Sequence, residues 1–317
     1  MTISHWRNFA RGAIGIAIGA AFLWLSLRQT SWEQVSAILF QSNVGWLFIS
    51  LGFYVADLWL RVSRWRILLC DIKTLSFQSV GIALIVGYAA NVVLPARLGE
   101  LVRADFAGRR YRLSRSAMVG SILAERVLDG LIVVLYLVLG QLFIPDHPLL
   151  SSLTAVSALL FISIFIALLL LGKKSGSGKD WLDRFPNAIS SRVESFRQGL
   201  SVMRGVGAVR VVNLSLIIWL LEALVIWSVL KAVNVSLGVW EMLLVTGVTS
   251  LSSLIPSAPG FVGTYQYAFA FTLGLLAYKP AQGIAAATAI QVFLMGSLVV
   301  VGLGLYMYLN LVKPDRS

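Results

Sequence analysis

NVVLPARLGELVRADFAGRR, residues Asn91 to Arg110, begins as the tail of an apolar segment and then stops being one. Pro95, Arg97, Gly99, Glu100, Arg103 and Asp105 arrive in close succession. In a soluble chain such a run would be an ordinary loop. Here it interrupts a sequence of 317 residues that is 58% hydrophobic and only 13% charged, with a mean hydropathy of +0.84, far outside the balance of soluble domains. The chain reads as an all-α polytopic membrane protein, and the break must be accommodated where protein or a water-filled cavity surrounds it.

Working outward, Ala13–Leu27, Val44–Leu60, Met118–Phe143, Leu149–Leu171, Val211–Leu230 and Ile284–Leu309 are apolar enough to give about six full spans. Arg7 and Arg11 precede the first, which is expected to be retained rather than cleaved. Two further apolar stretches are broken: Phe77–Leu94, which runs into the quoted motif, and Trp240–Tyr278, interrupted by SLIPSAPGFVGTYQ at Ser253–Gln266.

Lysine and arginine set the orientation. The loop Arg61–Lys73 holds Arg61, Arg64, Arg66 and Lys73, and Arg97–Arg115 holds Arg97, Arg103, Arg109, Arg110, Arg112 and Arg115, so both are expected to be cytoplasmic. One crossing between them would place them on opposite sides. A re-entrant hairpin turning near Pro95 removes the conflict. The same count makes the second broken stretch a hairpin entering from outside and leaves both termini cytoplasmic, with Lys313 and Arg316 at the end of the chain. The expectation is a single domain, 1–317, with inverted halves at 1–143 and 149–317 and Pro/Gly-broken segments in matching places, NVVLPARLGE and SSLIPSAPGF. Between the halves lies a cytoplasmic amphipathic segment, 173–210. Within it Leu182, Phe185, Ile189, Val193, Phe196, Leu200 and Met203 recur three and four apart among arginines, fitting a helix on anionic lipid or one packed on neighbouring loops.

The net charge of +12 sits beside hydrophobic spans and points to anionic lipid headgroups, not nucleic acid. Cys70 is the only cysteine, and His5 and His147 are the only histidines, so no disulfide, metal site of usual spacing or cofactor is expected.

Ionisable groups within spans are costly and therefore candidates for function. Glu125 and Asp129 share a helix face, and Arg126 can pair with Asp129. The bland alternative is a helix-start ion pair at the interface. Glu222 lies midway along its span without a neutralising neighbour in its own helix, so it is either protonated or faces a partner from another helix, an arginine, with Arg97 the expected one. Asp57 and Arg61, four apart, fit a local pair. At the first hairpin tip a helix starting near Leu98 would aim free N–H groups at an anion, aided by Arg97 and Arg103, with Gly99 allowing close approach and Glu100 holding an arginine in reserve. Pro259, Gly260 and Gly263 offer the second tip the same geometry without charge.

PARLGELVRADFAGRR, SAMVGSILAERVLDG and PSAPGFVGTYQYAF resemble segments of the lysylphosphatidylglycerol synthase transmembrane, or flippase-like, family. The resemblance implies a helical membrane domain that moves polar lipids or lipid-linked precursors between leaflets. It assigns Arg97, Gly99, Glu100 and Arg103 to one motif, Glu125, Arg126 and Asp129 to a second, and Pro259, Gly260 and Gly263 to a third. Gln266 stands where members often carry a glutamate, which puts a proton or cation role there in question. The aminoacyl-transferring domain that names the family is not among these residues, so lysyl transfer is not expected.

The leading expectation is therefore a flippase or transporter of a polar, anionic lipid in the cell (inner or plasma) membrane, without enzymatic activity. An intramembrane enzyme acting on polyprenyl or glycerol phosphates is the alternative, and a non-transporting partner of a lipid-modifying enzyme is another. A homo-oligomer is compatible with the sequence.

Overall fold

The computed structural model describes residues 17–28, 30–94, 97–144, 146–172, 187–200, 206–255 and 257–312, and all of its regular structure is helical. In chain order the helices are α1 (Ala17–Leu27), α2 (Trp32–Phe40), α3 (Val44–Leu68), α4 (Phe77–Val93), α5 (Gly99–Tyr111), α6 (Arg115–Gln141), α7 (Pro148–Gly172), α8 (Asn187–Gly199), α9 (Val206–Ala232), α10 (Val239–Ser252), α11 (Thr264–Leu275), α12 (Pro280–Ala289) and α13 (Gly296–Val312). A 3₁₀ turn, Pro259–Phe261, precedes α11, and a π-helical segment, Ile290–Met295, joins α12 to α13. Pro95, the segment 173–186, Arg204, Lys313 and Arg316 lie outside the described residues.

Among the described residues, four helices are long and apolar enough to cross a membrane: Val44–Leu68, Pro148–Leu171, Gly207–Ala232 and Pro280–Leu309. α6 matches them in length but carries Glu125, Arg126 and Asp129. Large apolar side chains such as Phe48, Leu159, Val300 and Met307 are exposed on these helices, a surface that suits a lipid solvent.

One sequence boundary is corrected. Val44–Leu60 was expected to end where the loop Arg61–Lys73 begins, yet α3 runs on to Leu68 and buries Arg61 and Arg64. Val62, Trp65 and Leu68 keep the apolar register going and are themselves buried, while carboxylates from other helices meet the arginines. Positive charge marks a loop only where nothing in the protein neutralises it.

The two broken stretches each fold back on themselves. Tyr111 Oη at the end of α5 donates to the Ser79 carbonyl at the start of α4 (2.8 Å), so α4 and α5 run antiparallel. Gly99 makes this possible: a Cβ there would fall 2.2 Å from the Gly87 carbonyl oxygen. In the second pair, Trp240 at the start of α10 stacks on Phe143, and Phe271 near the end of α11 meets His147 edge-on. Both outer ends therefore lie by the α6–α7 turn, with the connection 253–263 at the opposite extreme. There Gly263, at φ 93°, approaches Gly19 of α1 so closely that a Cβ would sit 1.9 Å from the Gly19 carbonyl oxygen.

The two tips meet. Arg97, at φ 53°, donates from Nε to the Ser253 carbonyl (3.0 Å) and from Nη2 to Ser253 Oγ, and its guanidinium faces the Phe261 ring. The outer end of the α4–α5 pair is basic, with Arg66, Lys73, Arg109, Arg110, Arg112 and Arg115 around it; the outer end of the α10–α11 pair has Lys231 and Lys279 alongside Asp146 and Glu241. α8 packs Phe196 and Leu200 beside Ala124, Val127 and Leu168, with Gly199 against Ala117, so the described part of the amphipathic segment rests on α6 and α7.

Candidate functional site

Around the meeting tips, helical spacing collects a buried polar cluster. α3 presents Asp57, Arg61 and Arg64 at i, i+4 and i+7, α6 presents Glu125, Arg126 and Asp129, and α9 presents Ser215, Trp219 and Glu222 at the same i, i+4, i+7 interval. α5 and the tip before it add Arg97, Glu100 and Arg103.

Glu125, fully buried, is the hub. It accepts from Arg103 Nη2 (3.0 Å) and Arg126 Nη2 (2.6 Å) and forms an ion pair with Arg64 Nη2 at 3.2 Å. Arg64 grips Asp129 through Nη1 (2.6 Å) and Nη2 (3.2 Å) and also donates to Ser215 Oγ (2.8 Å). Asp129 accepts besides from Trp219 Nε1 (3.0 Å) and forms an ion pair with Arg126 Nη2 at 3.1 Å. Arg126 Nε faces Glu100 at 3.6 Å. The Arg103 guanidinium sits over the Trp65 indole, its Cζ 3.6 Å from the ring centroid. Arg64, Arg103 and Arg126 are thus matched by Glu100, Glu125 and Asp129, as burial demands.

The remaining charges do not pair so evenly. Arg61 serves two carboxylates, Asp57 through Nε (2.6 Å) and Glu222 through Nη2 (3.0 Å), leaving one net negative charge. Among the described residues, no carboxylate pairs with Arg97, which leaves one net positive charge at the tips. Two adjoining cavities open beside these groups, of about 290 and 190 Å³. Both are lined by Arg61, Arg97, Glu100, Arg126, Glu222 and Phe261; the larger adds Asp129, Trp219 and Ser253, the smaller Asp57, Tyr88 and Asn91. The Arg61–Glu222 bridge and Arg97 stand where the two chambers join.

Of the residues singled out from sequence, Arg97, Glu100, Arg126, Asp129 and Glu222 line the chambers. Glu125 and Arg103 lie behind them, and Arg103 is engaged with Glu125 and Trp65 rather than offered to the tip. Gly99 fits α5 against α4. Pro259, Gly260 (φ 68°) and Gly263 shape the second tip, from which Phe261 reaches both chambers. Gln266 accepts from the Gly263 N–H (2.7 Å) and donates to Gln291 Oε1 (2.6 Å), and Gln291 in turn donates to the Gly260 carbonyl (2.8 Å). An amide is well suited to this bridge, because it both accepts and donates.

The expected pairing of Glu222 with Arg97 is corrected: the partner is Arg61. Sequence reasoning placed Arg61 and Arg64 in a loop and passed over Trp219, Asn91 and Ser253. The 57–61–64 interval, continued by buried Val62 and Trp65, was the available signal for the first two; contacts made across the tips leave no such trace.

The family described as "Lysylphosphatidylglycerol synthase TM region" matches residues 12–302 of this chain. UPF0104 membrane protein MJ1078 of Methanocaldococcus jannaschii is 25% identical to it over 187 residues, covering 58% of this chain and 79% of that protein.

Proposed function

Because this multi-pass membrane protein belongs to the lysylphosphatidylglycerol synthase TM region family, we propose that it moves a polar, anionic lipid or lipid-linked precursor between the leaflets of the cytoplasmic membrane. The observation that carries the reading is Arg97. It is a guanidinium without a carboxylate partner among the described residues, in a cluster where the other arginines are paired, and it lies at the junction of two chambers. A phosphate or carboxylate headgroup supplies the missing charge and the planar, bidentate geometry that arginine favours.

In this reading the headgroup travels along the chambers while its acyl chains stay in lipid against the exposed apolar faces of the helices. The α4–α5 and α10–α11 pairs act as re-entrant hairpins entering from opposite sides, the two halves of an inverted repeat whose tips enclose the midplane site. The basic outer end of the first pair faces the cytoplasm, as do both termini. The Arg61–Glu222 bridge separates the chambers until the headgroup, bound to Arg97, draws a partner away.

The test is leaflet exchange of labelled anionic and zwitterionic lipids in vesicles containing the purified protein. Faster exchange of the anionic lipid, abolished in Arg97→Gln, supports the reading. Exchange no faster than in protein-free vesicles for every lipid class sinks it.

A further inference from the structure

Asp57 is 1% exposed, yet only one of its carboxylate oxygens is engaged: Oδ2 receives Arg61 Nε at 2.6 Å, while the buried Oδ1 has no hydrogen-bond partner. Asn91 Oδ1 is likewise buried and unpartnered. Both residues line the smaller chamber. Two residues with an unpartnered acceptor therefore line one chamber, together with Arg126, whose Nε has no hydrogen-bond acceptor and faces Glu100 at 3.6 Å. The same place holds the cluster's negative excess, since Arg61 is shared between Asp57 and Glu222.

Buried acceptors without a donor are costly, and an uncompensated buried carboxylate more so. A second arginine would have relieved both, but Arg97, which lines the same chamber and has no carboxylate partner among the described residues, is bound to Ser253 instead. We propose that the Asp57–Arg61–Glu222 triad, with Asn91, is a monovalent cation site, filled by a proton on Asp57 or by an alkali ion, and that it couples the cation to movement of the anionic group held at Arg97. The proposal rests on the transport reading for its coupling, not for the site itself.

The chemistry is a matched pair of vacancies. The triad requires one positive charge and Arg97 one negative, and both border the smaller chamber. Filling both keeps the buried cluster neutral, whereas filling either alone leaves an unpaired charge in a low-dielectric interior. Each occupant thereby favours the other. The other ionisable groups facing this chamber are Tyr54 of α3, Tyr88 of α4, Glu100 of α5, Arg126 of α6 and Tyr265 of α11. Glu100 and Arg126 face one another, so the charge to be neutralised stays with Asp57 and Glu222.

The experiment uses purified full-length protein in nanodiscs. Infrared difference spectra taken across neutral pH report a buried protonated carboxyl, and thermal denaturation with sodium chloride exchanged for choline chloride at constant ionic strength reports an alkali ion. The expected result is one of two responses: a titrating carboxyl band lost in Asp57→Asn, or a sodium-dependent rise in Tm lost in the same variant. Glu222→Gln, which removes the excess charge while keeping Asp57, should lose that response as well and serves if Asp57→Asn folds poorly. Neither response in the wild type, a response that survives in both variants, or stabilisation only by an amine-bearing lipid would overturn the site. Arg97→Gln with lipid exchange lost but the cation response intact leaves the site standing; a wild type that exchanges lipid without any cation response removes the site and leaves the transport reading.

Discussion

Arg97 and Ser253 join the tips of two helical hairpins 156 residues apart in sequence, with the guanidinium Nε donating to the serine carbonyl at 3.0 Å. The contact spends two donors of an arginine on neutral acceptors and leaves its charge unbalanced. Arg97→Gln is therefore expected to fold, with a stability loss within about 1–2 kcal/mol for the lost hydrogen bonds, and to lose binding of anionic lipid. Arg109→Gln and Arg110→Gln, on the basic outer end, should retain it. Vesicle flotation with anionic and neutral lipids compares the three, and equal losses would point to general surface attraction.

Glu222 should couple energetically to Arg61, its direct partner, more strongly than to Arg97. Because the Glu222 side chain is 27% exposed, each single replacement is expected to cost less than the roughly 3–5 kcal/mol of a fully buried broken pair. In a double-mutant cycle by thermal denaturation, Arg61→Gln with Glu222→Gln should cost less than the sum of the singles. Arg97→Gln with Glu222→Gln, which share the chambers but no direct contact, should show a smaller coupling than the Arg61–Glu222 pair.

Glu125→Gln should be the most destabilising of the carboxylate replacements, by about 3–5 kcal/mol or more, because it leaves Arg103 without its buried counter-charge and takes one of two buried carboxylates from Arg64. Asp105→Asn, whose partners Arg109 and Arg115 are 64% and 60% exposed, should cost less than about 1 kcal/mol. Denaturation midpoints of the two variants make the comparison.

Gly263→Ala and Gly99→Ala are expected to disrupt the tips, since each added methyl would fall inside a backbone carbonyl contact. A loss on the order of 1–3 kcal/mol from overpacking is the minimum, with backbone strain added at Gly263. Gly274→Ala, in α11 with open space around it, should be neutral or stabilising by up to about 1 kcal/mol. If the two tip variants matched Gly274→Ala in thermal stability, the close approaches would be unimportant.

Cys70, exposed beside the α3–α4 turn, gives a native label for the basic end of the protein. Partial burial, then the neighbouring Asp71 carboxylate, pushes its thiol above the ordinary range. The thiolate is the reactive form, so maleimide labelling should keep accelerating at a pH where an unperturbed thiol has levelled off. Asp71→Asn should shift that rise to lower pH. Lys73 Nζ donates to the Tyr111 carbonyl at 3.1 Å, so cysteines at positions 73 and 111 should both be labelled from the side that labels Cys70.

The helical class was legible because long apolar runs have few alternatives, and both chain reversals were legible because Pro95, Gly99, Pro259 and Gly263 are poorly placed in continuous helices. The site was half legible. Glu125, Arg126, Asp129 and Glu222 announced themselves as charges in apolar surroundings. Arg61 and Arg64 did not, because at the end of an apolar run a buried arginine and a cytoplasmic one look alike until the carboxylates from α6 and α9 are in place. The contacts of Arg103 were not legible for a related reason: they are made with Trp65 and Glu125, neither of them near in sequence.

The long reach of these pairs bears on how the protein is made. α3 leaves the ribosome carrying Asp57, Arg61 and Arg64, but Arg64 meets Asp129 only 65 residues later and Arg61 meets Glu222 only 161 residues later. At roughly 5–20 residues per second the waits are about 3–13 s and 8–32 s. Until α6 emerges Arg64 has no carboxylate, and until α9 emerges Arg61 has only Asp57. Each unneutralised charge held at a helix centre costs about 2.5–3.5 kcal/mol on the insertion scale. The charged end of α3 should therefore linger at the membrane surface, or in the shelter of the insertion machinery, and settle only when α6 and α9 arrive to receive it.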